Sequence, residues 1–165
     1  MNRILCGMAA VLLNGIAWAQ NTEAEFLKNY ESRIGLEYIN EVYIPKDLAD
    51  AMRELDRLTN DAMAAELLEI NEDSVASKLH FSLGRWMAIH WGLEEGSRLS
   101  HHLKSRGLSF PDDMMDLLIR CWYRHLKGQA LHDQKLINSY IVKRKREHEE
   151  RLKKRKGTLT PLPKK

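Results

Sequence analysis

His80–Met115 reads HFSLGRWMAIHWGLEEGSRLSHHLKSRGLSFPDDMM, and the punctuation of this stretch decides the fold. Asn71 is a good helix cap, and Glu72 and Asp73 follow it where the helix dipole favours negative charge. From there Val75, Leu79, Leu83, Trp86 and His90 recur at helical spacing to about Trp91, where Gly92 breaks the run. Leu99 and Leu103 mark the inward face of a second helix, roughly Glu94 to Arg106, which Gly107 stops. Pro111, with Asp112 and Asp113 behind it, opens a third helix to Lys127, closed by Gly128.

The flanks extend the same pattern. Phe26, Leu27, Tyr30 and Ile34 predict a short amphipathic helix opened by Thr22. Leu36–Ile44 is rich in β-branched and aromatic residues, lacks a convincing hairpin partner, and is expected to run extended without joining a sheet. Pro45 then starts a helix with Leu48, Ala51, Met52, Leu55 and Leu58 on one face, and Asn60 or Asp61 caps another through Ile70. A last helix begins near Asp133 with Leu136, Ile137, Tyr140 and Ile141, and then loses its core face. The expected fold is all-α: a compact bundle of about five to seven short helices over residues 45–142. A connecting segment, residues 20–44, precedes it, and a basic helical extension, residues 143–165, follows it.

Residues 1–19 read as a signal peptide. Arg3 supplies a positive start, Ile4–Ile16 is mostly apolar, and Ala17-Trp18-Ala19 places small residues where signal peptidase cuts, so cleavage is expected after Ala19. The run is too short for a comfortable span of ~20 apolar residues, so no transmembrane segment is expected in the mature chain. Export predicts a periplasmic or secreted protein. Cleavage would remove Cys6 and leave Cys121 alone on an apolar helical pattern, which suits a buried, inert thiol and leaves no disulfide to form.

The net charge of +3 conceals a division. Residues 20–142 carry 14 Lys/Arg against 20 Asp/Glu, whereas residues 143–165 carry 11 against 3. Within KRKREHEERLKKRK, residues 143–156, the pairs Glu147–Arg151, Glu149–Lys153 and Glu150–Lys154 stand at the spacing that supports a solvated helix. Leu152 is its lone apolar member, so the Lys143–Lys165 tail suits adhesion to an anionic surface and not insertion. An export signal and the absence of interleaved aromatics argue against nucleic acid as the partner.

No residues are assigned to catalysis, a cofactor or a metal. The seven histidines include no pair one helical turn apart, and adjacent His101 and His102 diverge by about 100° on a helix. There is no Gly-x-Ser-x-Gly, phosphate loop or dinucleotide fingerprint. Asp112, Asp113 and Asp116 have a structural explanation in helix initiation. Trp86, Trp91 and Trp122 with Tyr123 suit a core better than an aromatic pocket. The corner between Trp91 and Arg98 stays open as a ligand site, with Asp112 or Asp113 beside it. Its structural explanation is an Arg98 salt bridge to Glu94, Glu95 or an early-helix aspartate.

The set His80-Phe81-x-Leu83-Gly84-x-Trp86, Trp91-Gly92-Leu93-x-x-Gly96-Ser97-Arg98-Leu99 and Pro111-Asp112-Asp113-Met114 resembles an uncharacterised bacterial family, catalogued as a domain of unknown function. Tyr43–Leu48 and Tyr123-Arg124-x-Leu126-x-Gly128 fit it as well, so the likeness covers about Val42 to Gly128. It implies a small, mainly helical domain without an established activity. Phe110 stands where the resemblance leads one to expect His, Met115 where it suggests Ser, and Glu94 where it suggests Trp. The expectation is therefore a non-enzymatic, exported module of the bacterial cell envelope that binds a protein or envelope component. The alternatives are an enzyme or small-ligand binder using the Trp91–Arg98 corner, or an immunity or inhibitor protein.

Overall fold

Leu117, Leu118, Ile119 and Cys121 are fully buried, together with Tyr123 one turn on, so the helix that carries them is the axis of the molecule. The computed structural model describes residues 23–157; the expected signal segment lies outside them. The helices are α1 (23–33), α2 (Leu48–Leu58), α3 (Asp61–Leu68), α4 (Glu72–Leu79), α5 (Arg85–His90), α6 (Arg98–Ser105), α7 (Pro111–Leu126) and α8 (Asp133–Gly157). A single π-helical turn, His80–Gly84, joins α4 to α5. α7 contacts α2, α3, α4, the π turn, α5 and α8. None of the helices among the described residues is long and apolar enough to cross a membrane.

Local chemistry sets most helix ends. The side chains of Asn60 and Asn71 accept hydrogen bonds from the N–H groups of Met63 and Asp73, the expected caps. Pro111 occupies the first turn of α7, where its missing N–H costs nothing. Two starts lie further along the chain than the sequence predicts. α2 begins at Leu48, not Pro45, because Asp47 takes the Asp50 N–H at 2.8 Å. α6 begins at Arg98, not Glu94, because Ser97 and Ser100 close a reciprocal capping box.

The segment expected to run extended without a partner instead pairs with itself. Tyr38–Ile39 (β1) and Val42–Tyr43 (β2) form a small antiparallel hairpin, with Tyr38 opposite Tyr43 and their rings in edge contact. Asn40 and Glu41 both take positive φ, the primed-turn geometry that suits the twist of a two-residue hairpin. Asn is a usual residue there; Glu is not, and the sequence therefore carries no clear turn signal.

α8 runs antiparallel to α7. Asp133 pairs with Arg106, and Arg144, three turns on, reaches the first turn of α7. There the Arg144 guanidinium grips Asp113 through Nε and Nη2, each at 2.7 Å, and its plane lies over Phe110. Asp113 is buried, so this is a charge-assisted pair with only its cation partly wet. Apolar burial on this last helix ends at Tyr140, Ile141 and Val142 being exposed, and Arg144 adds a polar anchor to α7 beyond that point.

Arg144→Ala leaves the Asp113 carboxylate buried and unpaired. It should destabilise the fold by about 2–3 kcal/mol in denaturant unfolding, below the ~3–5 of a fully buried pair because Arg144 is partly hydrated. Asp50 gives the fold an acid limit. Burial works to raise its pKa, but bonds from the Lys46 N–H, the Tyr43 hydroxyl and Arg53 outweigh this and hold it below the ordinary 3.8. Its contribution should be full above that value and lost as pH falls through the native one. Asp50→Asn should accordingly flatten the acid limb of a plot of unfolding midpoint against pH.

Candidate binding groove

The π turn decides which residues line an apolar groove on the molecule. A π turn holds one residue more than the α-helix allows, so the inward face after it advances by one position, about 100° around the axis. Ahead of it Val75 and Ala76 are buried; from its last residue, Gly84, onward Met87, Ala88 and Trp91 are buried as well, in place of the expected Leu83, Trp86 and His90. Gly84 is the pivot. A Cβ there would lie 3.4 Å from the Met115 sulfur and 3.5 Å from Ile119, so this position faces α7. Trp86 is displaced outward and stacks on His90, whose Nδ1 bonds the Trp86 carbonyl at 2.9 Å. Phe81, on the turn itself, is 88% exposed.

The displaced side chains form one wall of an apolar groove of about 710 Å³. Leu79, Ser82, Leu83 and Trp86 make this wall; Met63, Glu66, Leu67 and Ile70 of α3 and its exit make the other. Leu55, Leu58 and Thr59 close one end, and Trp122 of α7 also lines it. α3 is suited to an adjustable wall, since Leu67 alone of its residues is buried and Met63 is 57% exposed. The volume lies within the ~300–1,000 Å³ of ligand pockets, and the lining has their composition, apolar with few polar groups.

One lip of the groove is anionic. A polar notch of about 320 Å³ shares Thr59 and Trp122 with it and adds Asp56, Asn60, Asp61 and His125. Asp56 accepts from the Trp122 indole N–H at 3.1 Å and lies 2.7 Å from His125 Nε2, which fixes the indole at the junction. Asp61, Glu66 and Glu69 are exposed and form no ion pair among the described residues.

The corner singled out in the sequence is arranged differently. Trp91 is fully buried, and its indole N–H meets no acceptor. Arg98 makes none of the expected salt bridges: its Nε donates to the Ile44 carbonyl at 2.6 Å, its plane lies over the Tyr43 ring, and its Nη2 is buried without a partner. Glu94 pairs with Arg85 and Glu95 with Arg33 instead. Asp113 is held by Arg144, and Asp112 is exposed, 3.9 Å from His80. Four candidate residues thus occupy separate environments, and neither the groove nor its notch is lined by any of them. Cys121 is buried, and desolvation pushes its thiol up to about 12, so it carries no thiolate at neutral pH.

The outer side of this corner is covered by α1. Tyr30 lies over Gly96 and its hydroxyl meets His101 at 3.1 Å; Lys104 caps the ring; Arg33 bonds the Gly96 carbonyl at 2.9 Å. Gly96 has φ +104°, and a Cβ there would come within 2.4 Å of the Tyr30 ring. Of the aromatics weighed in the sequence, Trp91, Trp122 and Tyr123 are core, Trp122 also bordering the groove, and Trp86 is a half-buried groove residue. The α3 wall and the Asp56–His125 notch had no motif to announce them. The available cue was Met63 and Leu58 beside a short, alanine-rich helix with little to bury them.

A family profile described as "Domain of unknown function (DUF6794)" matches residues 44–126. No curated protein and no solved structure matches the chain. The matched span contains the whole groove and excludes α1, the hairpin strands and α8.

Gly96→Ala should release α1 from this corner while leaving the matched domain folded, since both the positive φ (a cost of about 1–2 kcal/mol) and the Tyr30 contact oppose a side chain. Faster hydrogen exchange in residues 23–33, with unchanged exchange in α7, is the expected result; unchanged exchange in both would contradict it.

Proposed function

The chain belongs to the DUF6794 family, and we propose that this member is an exported binding module whose apolar groove takes an apolar segment of a protein or envelope component. The observation that carries this reading is the groove: Leu79, Leu83, Trp86 and Ile70 are half-buried and Leu58 and Met63 exposed along one hollow, with Leu55, Leu67 and Trp122 buried beside them. Apolar hollows of this size bind by removing surface from water, at roughly 25 cal/mol per Å². The groove also has the access that the Trp91–Arg98 corner lacks. No catalytic step is assigned to it: the polar residues that line it are Thr59, Glu66 and Ser82, and in the adjoining notch Asp56 holds Trp122 and His125.

The basic arm, residues 145–157, adds attraction to anionic surfaces, on the order of 1 kcal/mol per Lys or Arg near such a surface. The arm is separable from the fold only beyond Arg144 and its partner Glu147, since Arg144 anchors Asp113. The reading also takes residues 1–19 as the export signal, cleaved after Ala19.

Titration with the neutral apolar dye N-phenyl-1-naphthylamine tests the groove. Saturable binding with quenching of tryptophan emission is expected, weakened about tenfold by Met63→Lys, which places a charge on the exposed wall. Dye binding that ignores Met63→Lys would remove the groove from the account. Sedimentation with anionic vesicles tests the arm: a chain ending at Glu147 should lose binding that the longer chain shows and that salt abolishes. Equal sedimentation of both would contradict the arm's role.

A further inference from the structure

The groove and the notch that adjoins it carry charge of one sign. Glu66 lines the groove, Asp56 and Asp61 line the notch, and among the described residues no Lys or Arg lines either. Residues 47–73, which supply α2, α3 and this rim, hold nine Asp/Glu against two Lys/Arg. Both arginines are already engaged, Arg53 by Asp50 and Arg57 by Glu54. Asp56 is held by Trp122 and His125. The exposed carboxylates left beside the hollow are therefore Asp61 and Glu66, with Glu69 at the end of α3.

Unpaired carboxylates along an apolar hollow discriminate among apolar ligands by the charge that accompanies them. Fatty acids and phospholipids present carboxylate or phosphate at the head of the chain, and this rim opposes them. Lys and Arg are cations that come joined to apolar side chains, and on an amphipathic helix they flank an apolar stripe. The two walls, α3 on one side and α4 with the π turn on the other, form the kind of groove that takes such a stripe. Met63, exposed on the α3 wall, suits side chains of varied shape because its thioether chain is unbranched.

We infer that the groove's occupant is a basic amphipathic segment of another protein, its apolar face in the hollow and its Lys or Arg side chains against Asp61 and Glu66. The inference rests on the groove being a binding site and decides which class of ligand fills it: a protein segment and not an acyl chain.

Fluorescence anisotropy tests this with two labelled helical peptides of about fourteen residues, alike in a leucine face and differing in a polar face of lysine or of glutamate. The lysine peptide should bind the purified chain saturably and be displaced by N-phenyl-1-naphthylamine. It should bind at least about tenfold more tightly than its glutamate twin. Asp61→Asn with Glu66→Gln should lower affinity for the lysine peptide, relative to the neutral dye, by about tenfold. Glu31→Gln, which removes an exposed charge from α1, should change it by less than about twofold, and so separates the rim from the general acidity of the domain. Circular dichroism checks the helix content of each variant. Equal binding of the two peptides, or lysine-peptide binding that survives neutralisation of the rim, would overturn the inference. So would displacement of the dye by laurate but by neither peptide, in which case the groove stands as a binding site with an acyl chain as its occupant. Dye binding that ignores Met63→Lys removes the groove itself, and the inference with it.

Discussion

One additional residue in a helical turn governs this structure. Without the π turn at His80–Gly84, a continuous α-helix would carry Leu83, Trp86 and His90 into the core and leave Trp91 at the surface. The wider turn reverses this assignment. Gly84 meets α7 at close range, Met87, Ala88 and Trp91 go inside, and Trp86 becomes a wall of the groove. A wide turn gives up regular i to i−4 bonding, so tertiary packing must hold it in place. The contact of the turn with α7 supplies that packing. Core and groove are two consequences of the same register.

α7 transmits this arrangement along the molecule. Its C-terminal half fixes the acidic end through Trp122, Tyr123 and His125; its first turn fixes the basic arm through Asp113. The buried Asp113 carboxylate tolerates few alternatives, since a misplaced guanidinium would leave it unpaired in the interior. The pair therefore sets where α8 stops packing and where the free arm begins. Charge separation in the sequence becomes, by this contact, charge separation in space.

The sequence exposes the fold more readily than the site because the two are encoded at different ranges. Helix ends at Asn60, Asn71, Pro111 and Gly107 follow from local chemistry and are legible within a few residues. The π turn is not, because both candidate faces of residues 83–91 are apolar and periodicity satisfies either; the choice depends on how the turn packs against a helix some thirty residues away. The hairpin was hidden by Glu41, an unusual residue at positive φ, and the Arg144–Asp113 pair by its separation in sequence. Trp86 looks like a core residue in any pattern, since a groove wall and a core are built from the same amino acids. What distinguishes it is the sparse packing of α3, which appears only once the helices are assembled.

The central claim, that the apolar groove beside the π turn is a binding site, is tested most directly by hydrogen exchange with and without saturating N-phenyl-1-naphthylamine. The account predicts slower exchange in α3 and in His80–Gly84 when the dye is bound. No protection, or protection confined to other elements, would contradict it.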